Sequence, residues 1–545
     1  MSLGDTGQQG NGISSLGHLD FEGHHIAFNS EADNLVSLDE PFTLDVFVRN
    51  LLDGTVVRAS VDMVGGTPDG MSRSPQLDQS GSRVAFESLA GDLVVGDGNG
   101  FFDVYVRDLQ TATTLRISQA LGGGDPDAHC FLGAISGNGE RVSYRSAASN
   151  LVAGDLAGIE DVFVHDLVQG WTVRVSVGMN GAEANGASWG GSLSADGRYV
   201  AFCSEASNLV AGDVNDEIDA FLHDLQTGTT QLSSLAWDGS PADYGTTKVE
   251  ISGDASTLFM ASGATNLVPQ APDTHYDIFA RDLATGTNTH VSVPLGGGNV
   301  DGSSNLYGVS HDGRYVAFTS YSTNLVAGDV NGAQDVFVRD LSTGTTERVN
   351  LTSLGVATSV SAYHASISGN GRVASFSTWD STVVPFDTNS SPDEFVRERW
   401  SPVSTVASYC APSTASVPGC DAVLSASGSP SLASAGSFVF DTGPILGSVI
   451  GVLRFGVSGP NQTPFGSFGG FDCIGPPGVR MPPKFSGGTL GTCSGSMQST
   501  LAELAAAFPG IVLPGATVHT QVWMRDPGNS DGFALSSGVW FQVLP

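Results

Sequence analysis

Along residues 1 to 408, short apolar runs alternate with polar, glycine-rich stretches, and the alternation itself repeats. One apolar landmark recurs at Phe28, Phe86, Tyr144, Phe202, Met260, Phe318 and Phe376, each 58 residues after the last. A second keeps the same step through Phe47, Tyr105, Phe163, Phe221, Phe279, Phe337 and Phe395. A fixed period of this length means that each unit buries its apolar face against its neighbours, so the chain holds seven stacked units. Within a unit, SADGRYVAFCS (194 to 204) sets the turn dipeptide Asp196-Gly197 before an apolar run. Asp-Gly tolerates the positive φ of a tight hairpin, so that run pairs back on the strand before it. DAFLHDL (219 to 225) alternates as a half-buried strand does, and the TGTT after it turns into QLSSL. Four antiparallel strands per unit, seven times over, predict an all-β fold: a seven-bladed β-propeller spanning 1 to 408.

The S-x-DG-R-x-VAF…D-x-F-x-x-DL-x-TGTT pattern, written most fully at 194 to 230 and 310 to 346, resembles the TolB-like family of propeller repeats. The resemblance implies a secreted or periplasmic setting, often as a protein-interaction platform, and implies no single activity. Shifted by three periods, GQQGNGIS (7 to 14) falls on GAEANGAS (181 to 188), so the chain begins in the connector after an outer strand. No charged-then-apolar leader precedes it, and Met1 is expected to mark a mature or cloned boundary, with any secretory signal outside this sequence. VSTVA (403 to 407) falls one period after TTERV (345 to 349), which predicts an outer strand for the seventh blade and a ring closed without a strand borrowed from the N-terminus.

Residues 409 to 545 have another texture. Strand-like stretches at 437 to 441, 449 to 457, 517 to 524 and 539 to 544 are separated by Gly/Pro turns, and MQSTLAELAAAF (497 to 508) is read as a helix followed directly by Pro509. The expectation is a small β-sandwich with one helix. It is similar to the cysteine-containing C-terminal domains on secreted proteins of environmental bacteria such as planctomycetes, which implies a surface or cell-envelope accessory module. Cys410, Cys420, Cys473 and Cys493 suggest disulfides, with Cys410 to Cys420 and Cys473 to Cys493 the simplest of three pairings. Zinc is the competing reading, set back by the lack of a C-x-x-C and by His519 as the single nearby histidine. Cys130 and Cys203, in adjacent blades, are either a pair or two buried thiols.

Charge changes the picture of partners. A net charge of −34, from 56 acidic and 22 basic residues, argues against nucleic acid or anionic membrane, since phosphate binding needs clustered Lys and Arg. No run reaches the 18 or so apolar residues of a membrane span. Together with the repeat resemblance, this predicts an extracellular, periplasmic or cell-surface location.

Catalytic patterns occur and have structural explanations. GASWG (186 to 190) matches the nucleophile elbow G-x-S-x-G, but no helix follows it. Ser310-His311-Asp312 holds the triad residue types, yet consecutive residues at a hairpin turn cannot form the relay, and blade four has Ser194-Ala195-Asp196 there. His165 and His223 stand where other blades have Arg107, Arg281 and Arg339, and lie in different blades. The connectors before the first strands and the loops between second and third strands fall on one acidic face; the tight turns fall on the other. The function expected is therefore a non-catalytic scaffold that binds a protein or glycan through the loop face. The alternative is an extracellular lyase or glycoside hydrolase at the channel mouth, and the most divergent loops, 37 to 45 and 269 to 277, would carry it through Asp273 or His275.

The acidic loops also suggest calcium. Asp329, Asn331 and Asp335 offer oxygens at spacings 0, 2 and 6, and the trio recurs as Asp97, Asn99 and Asp103, as Asp213, Asn215 and Asp219, and as Asp387, Asn389 and Asp393. The closing bidentate Glu of an EF-hand is lacking, so backbone and water would complete the six to eight oxygens that calcium takes, and binding is expected to be weak. The last Asp persists as Asp45, Asp161 and Asp277 without its fellow ligands, and is expected to cap its turn through its own backbone amides.

Overall fold

The computed structural model describes residues 2–399 apart from 5–6, 38–42, 156–157, 270–274, 354, 385–386 and 390, together with the backbone of strands within 407–542. The chain divides into two compact units, Met1–Thr352 with Ala357–Arg399, and Ser353–Val356 with Trp400–Pro545.

The first unit is the propeller. Blade four shows the plan: Ser188–Leu193, Tyr199–Ser204, Asp219–Asp224 and Thr229–Leu232 pair in sequence order as an antiparallel sheet, with the first strand innermost. Blades one to six all have four strands in this order, and the seventh is described by three, Ala362–Ile367, Val373–Thr378 and Asp393–Glu398. Residues 403–406, most of its expected outer strand, lie outside the described residues. Ala407 pairs with Trp540 in the second unit.

The two landmark series are cross-strand partners. Phe28 lies opposite Phe47, Phe202 opposite Phe221 and Met260 opposite Phe279, as in every blade. Six of the seven pairs are aromatic and stack with centroids between 5.5 Å in Tyr144–Phe163 and 5.9 Å in Phe28–Phe47. Such stacking adds about 0.5–1.5 kcal/mol beyond burial alone. Each blade then packs its second and third strands on the first strand of the next, as where Ala201, Ala220 and Leu222 meet Val249, Ile251 and Met260. That contact explains why a blade cannot stand alone.

The innermost strands share a β-bulge, with register shifts in all seven blades. At the bulge Leu16, Ser74 and His364 adopt left-handed backbone, with φ of 59°, 55° and 47°. Blade four places Gly190 there at φ 88°, where no side chain opposes the conformation.

The tight turns form a ring of backbone hydrogen bonds from blade to blade. Phe21 N–H donates to Gln79 O at 3.1 Å, Gln79 to Gly137 at 3.0 Å, Asn138 to Ala195 at 2.8 Å and Ala195 to Gly253 at 2.8 Å. Asp254 donates to His311 at 2.9 Å, His311 to Gly369 at 2.8 Å, and Asn370 closes the circle on Phe21 at 2.9 Å. The N-terminal segment takes part in closure as well. Ser2 occupies on blade seven the place that Ser60, Ser118, Ser176, Ser234, Ser292 and Asn350 hold at the outer edge of the other blades. Its N–H donates to Asp393 Oδ1 at 3.3 Å and its hydroxyl accepts Glu394 N–H at 3.1 Å. Among the described residues the N-terminal segment adds no strand to blade seven, yet Ser2 completes the hydrogen bonding of that blade's third strand.

In the second unit, Val439–Ile445, Ile450–Gly456, Thr517–Arg525 and Val539–Gln542 are strands, matching the four expected stretches. The helix expected over 497 to 508 meets a strand instead, Gly495–Thr500, which pairs with Val439–Ile445; residues 501–508 lie outside the described residues. The side chains of Cys410, Cys420, Cys473 and Cys493 lie outside the described residues. Among the described residues no helix is long and apolar enough to cross a membrane.

Candidate functional site

The expected division of the two faces holds. Connectors bond to the second-to-third-strand loops of the next blade: Asp69 Oδ1 accepts Gly91 N–H at 2.9 Å, Asp127 accepts Ser149 at 2.8 Å and Asp301 accepts Thr323 at 2.7 Å. These acids are held by backbone donors, so part of the face's charge is engaged within it.

The candidate metal ligands sit at the start of the third strand, and the last Asp does not cap its own turn. It is wholly buried and receives a hydrogen bond from the residue 15 positions on, at the end of the outer strand: Ser60 to Asp45 at 2.7 Å, Ser118 to Asp103 at 2.5 Å, Ser292 to Asp277 at 2.6 Å. The same hydroxyl accepts the N–H after the Asp, as Ser118 does from Val104 at 2.9 Å. The aspartate therefore bolts the third strand to the fourth. The middle Asn does the turn capping: Asn99 Oδ1 accepts Phe101 N–H at 2.9 Å and Asn331 Oδ1 accepts Ala333 N–H at 3.0 Å. A short amide side chain reaches two residues on, whereas a strand-initial carboxylate faces the neighbouring strand.

Residues two before the outer-strand serine supply the counter-charge. Arg116 lies 3.1, 3.5 and 2.8 Å from Asp97, Asp103 and Asp125. Arg348 lies 3.1 Å from both Asp329 and Asp335. Asp155, Asp161 and Glu183, whose ligand oxygens lie within 4.8 Å of one another, close on Arg174 at 2.9, 3.1 and 2.8 Å. In blade seven, Gln9 Nε2 donates to Asp387 at 2.6 Å and to Asp393 at 3.2 Å, and Asn389 donates to Gly10 O at 2.7 Å. Even so, burial lifts Asp103 and Asp155 to about 6, against the pull of their guanidinium partners.

The innermost strands enclose a channel of about 480 Å³, lined in part by His18, Lys248, Glu250, Tyr307 and His364. Burial lowers His18 to about 4, which keeps it neutral, and its Nδ1 accepts Leu77 N–H at 3.1 Å. Lys248 lies 3.4 Å from Glu250 and 5.1 Å from the Tyr307 ring, which meets His364 in a T-shaped contact with a centroid separation of 5.7 Å. At the turn end, Gln79 of blade two and His311 of blade six meet across the axis at 2.7 Å, and Phe21 packs edge-on against His311 at 5.6 Å. Sequence periodicity could not show this bridge, because it joins blades that are not neighbours.

The sequence-level catalytic patterns are absorbed into the fold. Ser188 of GASWG is buried against Ser204 at 2.8 Å, a pair repeated as Ser14 with Ser30 and Ser72 with Ser88. Ser310 donates to Asp312 at 2.7 Å and accepts Tyr315 N–H at 2.9 Å, as turn chemistry requires. His165 and His223 bond Thr172 at 3.0 Å and Thr230 at 2.9 Å, as Arg107 and Arg339 bond Thr114 and Thr346, both at 2.9 Å. Cys130 and Cys203 are unpaired buried thiols, and Cys130, lifted by burial to about 12, stands in the serine ladder 3.4 Å from Ser146. Asp273 lies outside the described residues, in the stretch that His275 borders.

No family model and no curated protein matches the chain. Among solved structures, an oligogalacturonate lyase in complex with manganese aligns at 13% identity and TM-score 0.41, over 70% of this chain and 90% of that one. TolB from Agrobacterium tumefaciens aligns at 13% identity and TM-score 0.33, over 51% and 80%. An acylaminoacyl peptidase of Pyrococcus horikoshii aligns at 10% identity and TM-score 0.42, over 80% and 59%.

Proposed function

We propose that this is a secreted or cell-envelope scaffold that binds a protein or glycan, without catalysis, through the loop face of its propeller. The observation that carries the reading is a repeated exposure of large apolar side chains. Met63, Leu121, Met179, Trp237 and Leu295, at one connector position in five successive blades, are 57%, 67%, 43%, 60% and 67% exposed. Each is held by its own backbone N–H, which donates to a carbonyl of the next blade's loop, as Leu121 does to Asn150 at 2.7 Å. The backbone is fixed and the side chain stands in water. Val214, Val330 and Trp379 extend the exposed apolar surface on the same face. Single exposed apolar residues are ordinary, whereas one recurring around a face supports the reading of an interaction surface. Aromatic rings among acidic loops suit sugar rings or a protein with a basic rim. The secreted or envelope setting rests on the repeat resemblance.

The rival reading, an extracellular lyase or glycoside hydrolase, is favoured by His364, whose strained backbone places it beside Tyr307 in the channel. One experiment separates the two. Wild type and a Leu121→Ala/Trp237→Ala/Leu295→Ala variant are tested on a glycan array and in pull-downs from native envelope, with turnover of polysaccharides and peptides followed in parallel. The scaffold reading expects a specific ligand that the variant loses by at least tenfold at unchanged melting temperature. Turnover abolished by changing Asp273, His275 or His364 would overturn it.

A further inference from the structure

The outer strand of each blade ends with a side chain facing the acidic loop, and at a 58-residue step these are Arg58, Arg116, Arg174, residue 232, His290 and Arg348. Residue 232 is leucine. It packs with Val210 and Leu225 against the apolar core between blades three and four and offers no charge. In blade seven, Gln9 supplies amide hydrogens instead. Blade four therefore keeps the aspartates of the shared loop and has lost the cation that accompanies them elsewhere.

The loss shows in the hydrogen bonding. Asp219 is 0% exposed and Asp213 7%, yet Asp219 Oδ2 and Asp213 Oδ1 have no donor, and neither has Asn215 Oδ1. In blades two and six the equivalent Asn oxygen accepts a loop N–H. The adjacent Ser233, where other blades carry Ala, Ile or Val, adds a buried hydroxyl without a partner. Buried carboxylate oxygens without donors or counter-charge are costly. The loop also adds negative charge: blade six reads DVNGAQD, and blade four reads DVNDEID, with Asp216 in the left-handed position (φ 55°) that Gly332 takes in blade six (φ 64°). Asp213, Asp216 and Asp219 thus crowd three like charges into one loop.

We propose that the blade-four loop binds one divalent cation between Asp213 and Asp219, with Asn215 as a third side-chain ligand, in the place that an arginine fills in blades two, three and six. All the donors are hard oxygens, which select calcium or magnesium over softer metals. A flexible loop that must add carbonyls and water to reach six to eight ligands suits calcium better than the strict octahedron of magnesium. Asp216 and Glu217 raise the charge around the ion. The site narrows the four candidate loops to one by their counter-charges, and it stands apart from the scaffold reading.

The test titrates calcium into the full chain by calorimetry, with melting curves in calcium and in chelator. Wild type should bind one equivalent and melt higher with calcium, since a ligand of the folded state alone must stabilise it. Leu232→Arg, which installs the guanidinium of the other blades, should abolish binding and make melting insensitive to calcium. Asp213→Asn, a change of charge without a change of shape, should weaken binding at least tenfold while circular dichroism shows the native spectrum. Asp329→Asn, in the loop already filled by Arg348, should leave the stoichiometry at one. No heat and no melting shift at millimolar calcium would overturn the proposal, as would full binding by Leu232→Arg or by Asp213→Asn.

Discussion

On the turn face, an unbroken ring of backbone hydrogen bonds joins neighbouring blades; on the loop face, backbone bonds such as Leu121 N–H to Asn150 O are joined by a network of aspartate, asparagine, serine and arginine side chains. The turn ring runs through Phe21, Gln79, Gly137, Ala195, Gly253, His311 and Gly369, residues with little in common. What these positions share is crowding. A side chain at Gly253 would strike the His311 ring, and one at Gly369 would strike Phe21, so bulk in one blade needs its absence in another. The loop face tolerates far less, because most of its buried carboxylates depend on a named donor. The contrast teaches where variation costs stability and where it changes function: a backbone ring accepts different side chains so long as their bulk is compensated, while a side-chain network turns each substitution into an unpaired charge or a new site.

The comparison is tested most severely at Arg174. Arg174→Leu leaves Asp155, Asp161 and Glu183 facing one another without a counter-ion, and removal of one partner from a buried ionic group costs about 3–5 kcal/mol. Denaturant unfolding measures it, and calcium should restore part of the loss by filling the vacated place. A cost below about 1 kcal/mol, within the range of exposed pairs, would show that the loop face is not held by these charges.

Glu394 gives the next effect. It is buried against Gly17 of blade one, and burial lifts it to about 7 from 4.5. The folded state therefore holds its proton more tightly than the unfolded chain does. This contribution is fully present below pH 4.5 and is lost as pH rises through 7. At about 1.4 kcal/mol per unit, the loss is at most about 3–4 kcal/mol. Glu394→Gln should flatten the pH dependence of melting between those two values, and an unchanged slope would remove Glu394 from the account.

Ser118→Ala should cost about 1–3 kcal/mol, because Asp103 Oδ1 and Val104 N–H both lose their partner in a buried site. Gln79→Ala should cost about 0.5 kcal/mol or less, since the backbone bonds of residue 79 remain and only the contact to His311 is lost. If urea unfolding ranks Gln79→Ala above Ser118→Ala, the contrast between the faces fails.

Much of this was legible in the sequence. The period, the strand order, the opposed aromatic pairs and the two faces all follow from local alternation and turn chemistry, which act over a few residues. The role of the last Asp was not legible from its own loop, since its partner lies 15 residues on in another strand. The signal existed in the matching series Ser60, Ser118, Ser176, Ser234 and Ser292, and likewise the arginine series broken by Leu232. The bulges, the Gln79 to His311 bridge and the clasp of Ser2 on blade seven depend on closure of the ring, which no local pattern encodes. The helix expected over 497 to 508 gives way to a strand at 497–500, where pairing with Val439–Ile445 decides and the spacing of apolar residues does not.

The Ser2 clasp sets a clock. Its partner Asp393 lies 391 residues away in the chain, and at about 5–20 residues per second a ribosome needs roughly 20–80 s between making the two. For that interval the flank of blade one that packs on blade seven has no partner, and the completed blades stand as an open arc with an apolar end. The seam between first and last blades is thus the latest-formed part of the ring, and the place where a folding helper has longest to act.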